Sequence, residues 1–147
     1  MQPHPLVSTL AGGPWPAIRW LPFVAAALLS LMLAAAAPDG RKPFYIDWSL
    51  SRDALAFSIF KLPHIGASAL LAVLAVFATG RSRWPLSLGL TVLVGWGWEL
   101  SQTTVAGHHA RLSDLAPDTL GALLGCMLGC YALRRFESTP IRVKRRR

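Results

Sequence analysis

The stretch WLPFVAAALLSLMLAAAA, residues 20–37, contains no charged side chain. A hydrocarbon core of ~30 Å needs about 20 helical residues, and this run comes close to that length. Further apolar runs follow at about residues 54–79, 85–105 and 115–133. Because lipid cannot satisfy backbone N–H and C=O groups, such runs are expected to be helices. The sequence therefore predicts an all-α membrane protein, a four-transmembrane-helix bundle.

The composition favours the membrane class and argues against a nucleic-acid partner. Of the 147 residues, 53% are hydrophobic and 15% are charged, against roughly 25% charged in soluble domains. The net charge is +8, but seven of the 15 basic residues lie in the tail at 134–147, directly after the last apolar run. Juxtamembrane basic clusters are typical topology determinants that also contact anionic lipid. We therefore expect membrane lipids, and no nucleic acid, as partners.

The Lys and Arg residues of the short loops predict the orientation. Ten lie in the N-terminal segment 1–19, in the loop between the second and third runs, and in the tail, whereas four lie in the opposite loops. Both termini are therefore predicted to be cytoplasmic, with residues 20–133 forming a single domain in the bacterial cytoplasmic (inner) membrane. The loop 38–53 then faces outward, and its aromatic residues are typical of a segment lying at the membrane interface.

Polar side chains lie within or just before the last three runs, close to the predicted extracytoplasmic face. They are Lys61, His64, Glu99, Gln102, Arg111, Asp114 and Asp118. Spacings of three or four residues put the two members of each of three pairs on one helix face. The pairs are Lys61 and His64, Glu99 and Gln102, and Asp114 and Asp118. In the last run, Gly121, Gly125 and Gly129 continue down the face of Asp118 and allow close helix contact. The polar faces are therefore predicted to converge inside the bundle.

Ionisable residues inside a membrane span are costly unless paired or hydrated, and they commonly mark function. A buried ion-pair network that only fixes helix packing is the structural alternative. Asp118 near a helix N-terminus is also a favourable dipole partner, and Asp114 is placed where an N-cap residue would be.

Three patterns follow one another over roughly residues 54–130. They are Lys61-x-x-His64, then Glu99-x-x-Gln102, then Arg111-x-x-Asp114 leading into Gly121-x-x-x-Gly125. In this order and spacing they resemble the VanZ-like family of bacterial membrane proteins. That family is associated with low-level glycopeptide resistance, and some members accompany surface-polysaccharide genes. The resemblance therefore implies a role in the bacterial cell envelope.

The chain departs from the family pattern at three positions. Phe60 stands where an acid often precedes the Lys, Ser68 where a Tyr often follows the His, and Asp118 where the family usually has Asn. Asp118 adds an ionisable group, and it cannot take a role that needs the amide donor of the usual Asn.

The polar residues predict a site that binds or processes an anionic lipid or a lipid-linked envelope precursor. Within it, we expect catalytic candidates at His64, Glu99 and Asp114, and ligand-binding candidates at Lys61, Gln102, Arg111 and Asp118. No cofactor or metal is predicted, because the chain has no phosphate-binding glycine loop, no nucleophilic serine elbow and no HExxH zinc spacing. His108 and His109 are interpreted as solvated loop residues, and Cys126 and Cys130 as packing residues.

Two other functions stay open. The first is a non-enzymatic accessory protein for glycopeptide resistance or surface-polysaccharide assembly, acting through an envelope protein partner or a helix-mediated homo-oligomer. The second is proton-coupled transport, which is less favoured because the polar residues do not continue into the cytoplasmic half of the bundle.

Overall fold

The computed structural model describes residues 16–138, which are mostly helical. Five helices follow in order: α1 Leu21–Ala35, α2 Arg52–Ile59, α3 Leu62–Thr79, α4 Trp84–Gln102 and α5 Leu115–Ser138. Two short parallel strands, β1 Ile46–Asp47 and β2 Ala110–Arg111, join the loops after α1 and α4. The predicted N-terminal segment up to residue 15, and most of the predicted basic tail, lie outside the described residues.

Three helical segments within the described residues are long and apolar enough to cross a membrane. They are Ala17–Ala35, Leu62–Thr79 and Leu112–Ser138. The prediction of a mostly helical chain with helices suited to crossing a membrane is confirmed, while the count of four spans stays a prediction. The third apolar run forms α4, which has 19 residues but includes tryptophans, glycines and Glu99 in its C-terminal half, and these lower its mean hydropathy.

The second apolar run is not one helix, in contrast to the span predicted at 54–79. Helix α2 ends at Ile59 and α3 begins at Leu62, with Lys61 in a non-helical conformation between them. Pro63 explains the break, because proline in a helix interior removes a hydrogen bond and clashes with the preceding turn, whereas the first turn tolerates it. Lys61 is therefore placed at the start of α3 instead of inside a continuous helix.

Helices α3 and α5 pack closely through the small residues predicted to form a contact ridge. A Cβ atom added to Gly121 would collide with the carbonyl group of Ile65, and one added to Gly125 would collide with that of Ala69. A core cluster joins the same two helices at Ala72 and Ala122, among other residues. The glycine ridge thus serves a contact within one chain.

The loop after α1 packs against the segment that follows α4. The amide of Lys42 donates to the Thr104 carbonyl at 2.9 Å, and the amide of Ala106 donates to the Gly40 carbonyl at 3.1 Å. Trp48 remains 62% exposed, with its ring 6.1 Å from that of Trp96. The C-terminal ends of α1 and α4 therefore lie at the same end of the bundle as the N-terminal ends of α3 and α5.

Candidate functional site

Asp114 ties the break between α2 and α3 to the start of α5. A 3-10 turn, Leu112–Asp114, positions the carboxylate, which is 3% exposed. Lys61 Nζ donates to its Oδ2 at 2.6 Å, and Ser58 Oγ donates to its Oδ1 at 2.7 Å. Because a charge this deeply buried needs a partner, Lys61 and Ser58 hold Asp114 in one orientation.

Glu99 lies buried in the last turns of α4, with 2% of its surface exposed. Its Oε2 accepts a hydrogen bond from the backbone amide of Arg111 at 2.9 Å. Its Oε1 has no hydrogen-bond partner among the described residues. Buried polar atoms are nearly always satisfied, so a proton, a water molecule or a ligand at this oxygen would complete its contacts.

His64 and Asp118 form a third contact among the polar residues at this end of the bundle, which are called the polar layer below and comprise Lys61, His64, Glu99, Asp114 and Asp118. His64 Nδ1 lies 3.2 Å from Asp118 Oδ1, and Ser68 Oγ donates to the same oxygen at 2.9 Å. The Trp98 ring lies edge-on to His64, with centroids 6.5 Å apart. A carboxylate that holds an imidazole in a fixed orientation is the arrangement used for general acid–base work.

The second oxygen of Asp118 explains a glycine on the neighbouring helix. Asp118 Oδ2 is buried without a hydrogen-bond partner among the described residues, and it lies 2.7 Å from where a Cβ of Gly95 would be. Only a residue without a side chain leaves room for the carboxylate at this point of α4.

Two cationic side chains lie beside the exposed ring of Phe57. The Arg111 guanidinium is 5.5 Å from the ring centroid and Lys61 Nζ is 5.7 Å from it, both within cation–π range. Arg111 Nε also lies 3.9 Å from Asp47 Oδ2. The amide N–H of Ser49 holds the pKa of the Asp47 carboxyl below its usual range, with a smaller lowering effect from Arg111.

A cleft of about 660 Å³ opens among these residues. Its polar lining includes Lys61, His64, Gln102, Arg111, Asp114 and Asp118. Its other walls include Ala67, Leu71, Val94 and Trp98. Leu71 lies about two helical turns farther into the bundle than His64, so the cleft runs from a polar end to an apolar interior.

The loop histidines, His108 and His109, lie at the cleft, which the sequence did not predict. His108 and His109 are exposed, as expected of solvated loop residues, but both also line the cleft. The Lys42 ammonium donates to the carbonyl oxygen of His108, which ties this loop to the one that follows α1.

Three side chains from separate elements form a cluster with potential metal ligands. One ligand atom each of His64, Glu99 and Asp114 lies within 4.8 Å of the other two. The residues belong to α3, α4 and the turn before α5. Sequence spacing indicated no metal site, because recognisable metal motifs carry at least two ligands on one short segment.

The structure brings together the residues that the sequence predicted for the site. Lys61 pairs with Asp114, His64 with Asp118, and Glu99 with the Arg111 amide. Gln102 lines the same cleft. Their chemical roles stay predictions.

Four further members of the site were not predicted from the sequence. They are Phe57, Ser58, Ser68 and Trp98. Helical spacing offered a signal for one of them, because Ser68 follows His64 by four residues and so shares its helix face. Ser58 lies across the helix break from Lys61, so periodicity could not reveal it.

Comparisons with protein-family models, with curated proteins and with solved structures found no match. The VanZ-like resemblance therefore stays a prediction that rests on the residues quoted above.

Proposed function

We propose that the chain crosses the bacterial inner membrane four times, with both termini in the cytoplasm. Helix α4 packs among the three membrane-length helices, and its 19 residues at ~1.5 Å each extend about 28 Å, close to the ~30 Å hydrocarbon thickness. The ten-to-four distribution of Lys and Arg supports the orientation. The polar layer then faces the extracytoplasmic side.

We also propose membership in the VanZ-like family. The three patterns behind the resemblance are joined by direct contacts, since Lys61 pairs with Asp114 and Glu99 accepts from the Arg111 amide. Separate sequence fragments that build one site are expected to keep a common order and spacing. These contacts give the resemblance a physical reason.

Within this arrangement, we propose that the cleft binds an amphiphile with an anionic head group, a membrane lipid or a lipid-linked envelope precursor. The observation that carries the proposal is the polarity of the cleft. Charged side chains surround one end, whereas Leu71 and Val94 line the part nearer the middle of the bundle. A head group at the polar end and an acyl or prenyl chain along the apolar walls match this gradient.

Arg111 is the main group for holding the head group. Lys61 forms a short ion pair with Asp114 at 2.6 Å, whereas the contact of Arg111 with the Asp47 carboxylate is longer, at 3.9 Å. The Arg111 guanidinium is therefore the cation with the weaker existing contact. A guanidinium binds phosphate oxygens through paired hydrogen bonds. The His64–Asp118 pair lies in the same cleft, where it supplies a proton-transfer group beside the bound ligand.

The lipids that remain bound after detergent extraction test this proposal. Native mass spectrometry of the wild-type protein is expected to detect an anionic lipid. Arg111→Ala is expected to reduce its occupancy about tenfold or more, because a hydrogen bond to a charged group contributes about 1.5–3 kcal/mol. The backbone amide that bonds Glu99 is kept in this variant.

Arg83→Ala is the matched control, because Arg83 is an exposed arginine at the opposite end of the bundle. It is expected to keep the wild-type lipid profile. An Arg111→Ala protein with an unchanged profile would count against anionic head-group binding.

A further inference from the structure

The three-residue cluster of the polar layer points to an additional site. We propose that His64, Glu99 and Asp114 bind a divalent transition-metal ion of the Zn²⁺ type. One ligand atom of each lies within 4.8 Å of the others. In the tetrahedral arrangement that Zn²⁺ prefers, ligand atoms at ~2.0–2.2 Å from the ion are about 3.3–3.6 Å apart, so the three side chains approach one another by up to about 1.5 Å when the ion binds.

The unsatisfied oxygen of Glu99 is an independent observation in favour of a ligand. Glu99 is 2% exposed, with Oε2 bonded to the Arg111 amide and Oε1 lacking a partner among the described residues. A carboxylate buried in this way is unfavourable unless it takes up a proton or a donor or a cation occupies the free side. A metal ion held jointly with His64 and Asp114 supplies that partner.

The charges of the buried layer also favour a cation. Three carboxylates, those of Glu99, Asp114 and Asp118, are each at most 3% exposed. Lys61 is the ammonium in direct contact with them, and His64 is the imidazole. A divalent ion offsets the negative charge that these carboxyl groups carry when they are ionised.

The chemistry of the ligands selects the class of metal. One imidazole nitrogen with two carboxylates is a mixed N/O set that suits Zn²⁺ and neighbouring first-row ions. Ca²⁺ is disfavoured, because it takes six to eight oxygen ligands. Three protein ligands leave a coordination position for a small molecule or water, and His64 and Asp114 both line the cleft. This inference does not depend on lipid binding.

Lys61 competes with the metal for Asp114. Its ammonium lies 2.6 Å from Asp114 Oδ2, which is one of the oxygens available for coordination. A bound ion would share this carboxylate with Lys61 or displace the ammonium toward the cleft. Removing the lysine charge should therefore strengthen metal binding, which is opposite to the expectation for an ion pair that serves packing alone.

Metal retention by the detergent-solubilised full chain tests the proposal. The protein is purified without a polyhistidine tag, stripped with a chelator, loaded with Zn²⁺ and freed of excess metal before elemental analysis. About one Zn²⁺ per chain is expected, because the three residues form a single site. Glu99→Gln is expected to weaken Zn²⁺ binding by more than about tenfold. Removing a residue that only supports a metal ligand already lowers metal affinity by about tenfold or more, and Glu99 is proposed as a ligand itself.

The double variant His108→Ala/His109→Ala is the control for adventitious binding by exposed histidines, and it is expected to keep its Zn²⁺. The proposal is overturned if the wild type retains no Zn²⁺, if Glu99→Gln retains as much as the wild type, or if only the loop double variant loses it.

A second variant covers the case in which Glu99→Gln does not yield a monodisperse protein. Lys61→Gln is then compared with the wild type in a Zn²⁺ titration, and a several-fold rise in affinity is expected. An unchanged or lower affinity overturns the proposal.

Discussion

Gly95 and Asp118 illustrate how single residues shape the polar layer. The carboxylate of Asp118 is held by Ser68 and His64, and its second oxygen lies where a side chain at position 95 would begin. Replacing a helical glycine by alanine normally stabilises a protein by about 0.4–1 kcal/mol. At Gly95 the contact with Asp118 should reverse that sign.

We expect Gly95→Ala to lower stability by about 1–3 kcal/mol, the usual cost of overpacking. Gly89→Ala on the same helix is the control, because a Cβ there meets nothing within 4 Å. Thermal unfolding of the detergent-solubilised variants measures both. In an Asp118→Ala background, the effect of Gly95→Ala should shrink, since neighbouring residues are not additive. Equal effects at Gly89 and Gly95 would contradict the observed contact.

At the same scale, the ionisable residues of the site and Gln102 could be predicted, but their partners could not. The helical spacing placed Glu99 and Asp118 on inward faces near one end of the bundle. It could not show that Glu99 accepts from the backbone amide of Arg111, because that amide is positioned by the pairing of Asp47 with Arg111 in the short sheet. Such a contact depends on loop geometry and not on periodicity.

Among the elements, helices α3 and α5 form the closest pair. The backbone of α5 at Gly121 and Gly125 lies directly against the α3 carbonyl groups of Ile65 and Ala69. Close packing of this kind drives helix association in lipid, because lipid provides no hydrophobic driving force between helices. The contact also fixes His64 of α3 beside Asp118 of α5.

Gly125→Ala is expected to destabilise the bundle, because the new methyl group meets backbone atoms that cannot rotate away. The loss should reach or exceed the ~1–3 kcal/mol of ordinary overpacking. Gly66→Ala in α3, where a Cβ meets nothing within 4 Å, serves as the reference. The measurement is the unfolding temperature in detergent, and a Gly125→Ala protein as stable as Gly66→Ala would show that α3 and α5 do not pack in this way.

The elements themselves were partly predictable. The apolar runs located α1, α3, α4 and α5, because length and hydropathy determine which segments can be helical in lipid. The break before α3 was not predicted, although Pro63 carried the signal for it. The pairing of β1 with β2 joins residues far apart in sequence, and two-residue strands have no pattern of their own.

For the whole molecule, the arrangement of the helices places the Lys61–Asp114 pair, the His64–Asp118 pair and Glu99 at one end. The opposite end carries the short loop after α3, with Arg81 and Arg83, and the Arg81–Glu137 contact at 3.5 Å. In the sequence, ten Lys and Arg residues lie in the segment 1–19, the loop after α3 and the tail, whereas four lie in the opposite loops. Under the positive-inside rule, this separation is the basis for the proposed extracytoplasmic site.

The central claim, that the polar cleft opens on the extracytoplasmic side, is tested most directly by thiol labelling in intact cells. In a background with Cys126→Ala and Cys130→Ala, single cysteines are introduced as His109→Cys at the cleft and Ser82→Cys in the loop after α3, both at exposed positions. A membrane-impermeant maleimide is expected to label His109→Cys in intact cells and Ser82→Cys only after permeabilisation. Labelling of Ser82→Cys in intact cells, with His109→Cys protected, would contradict the account.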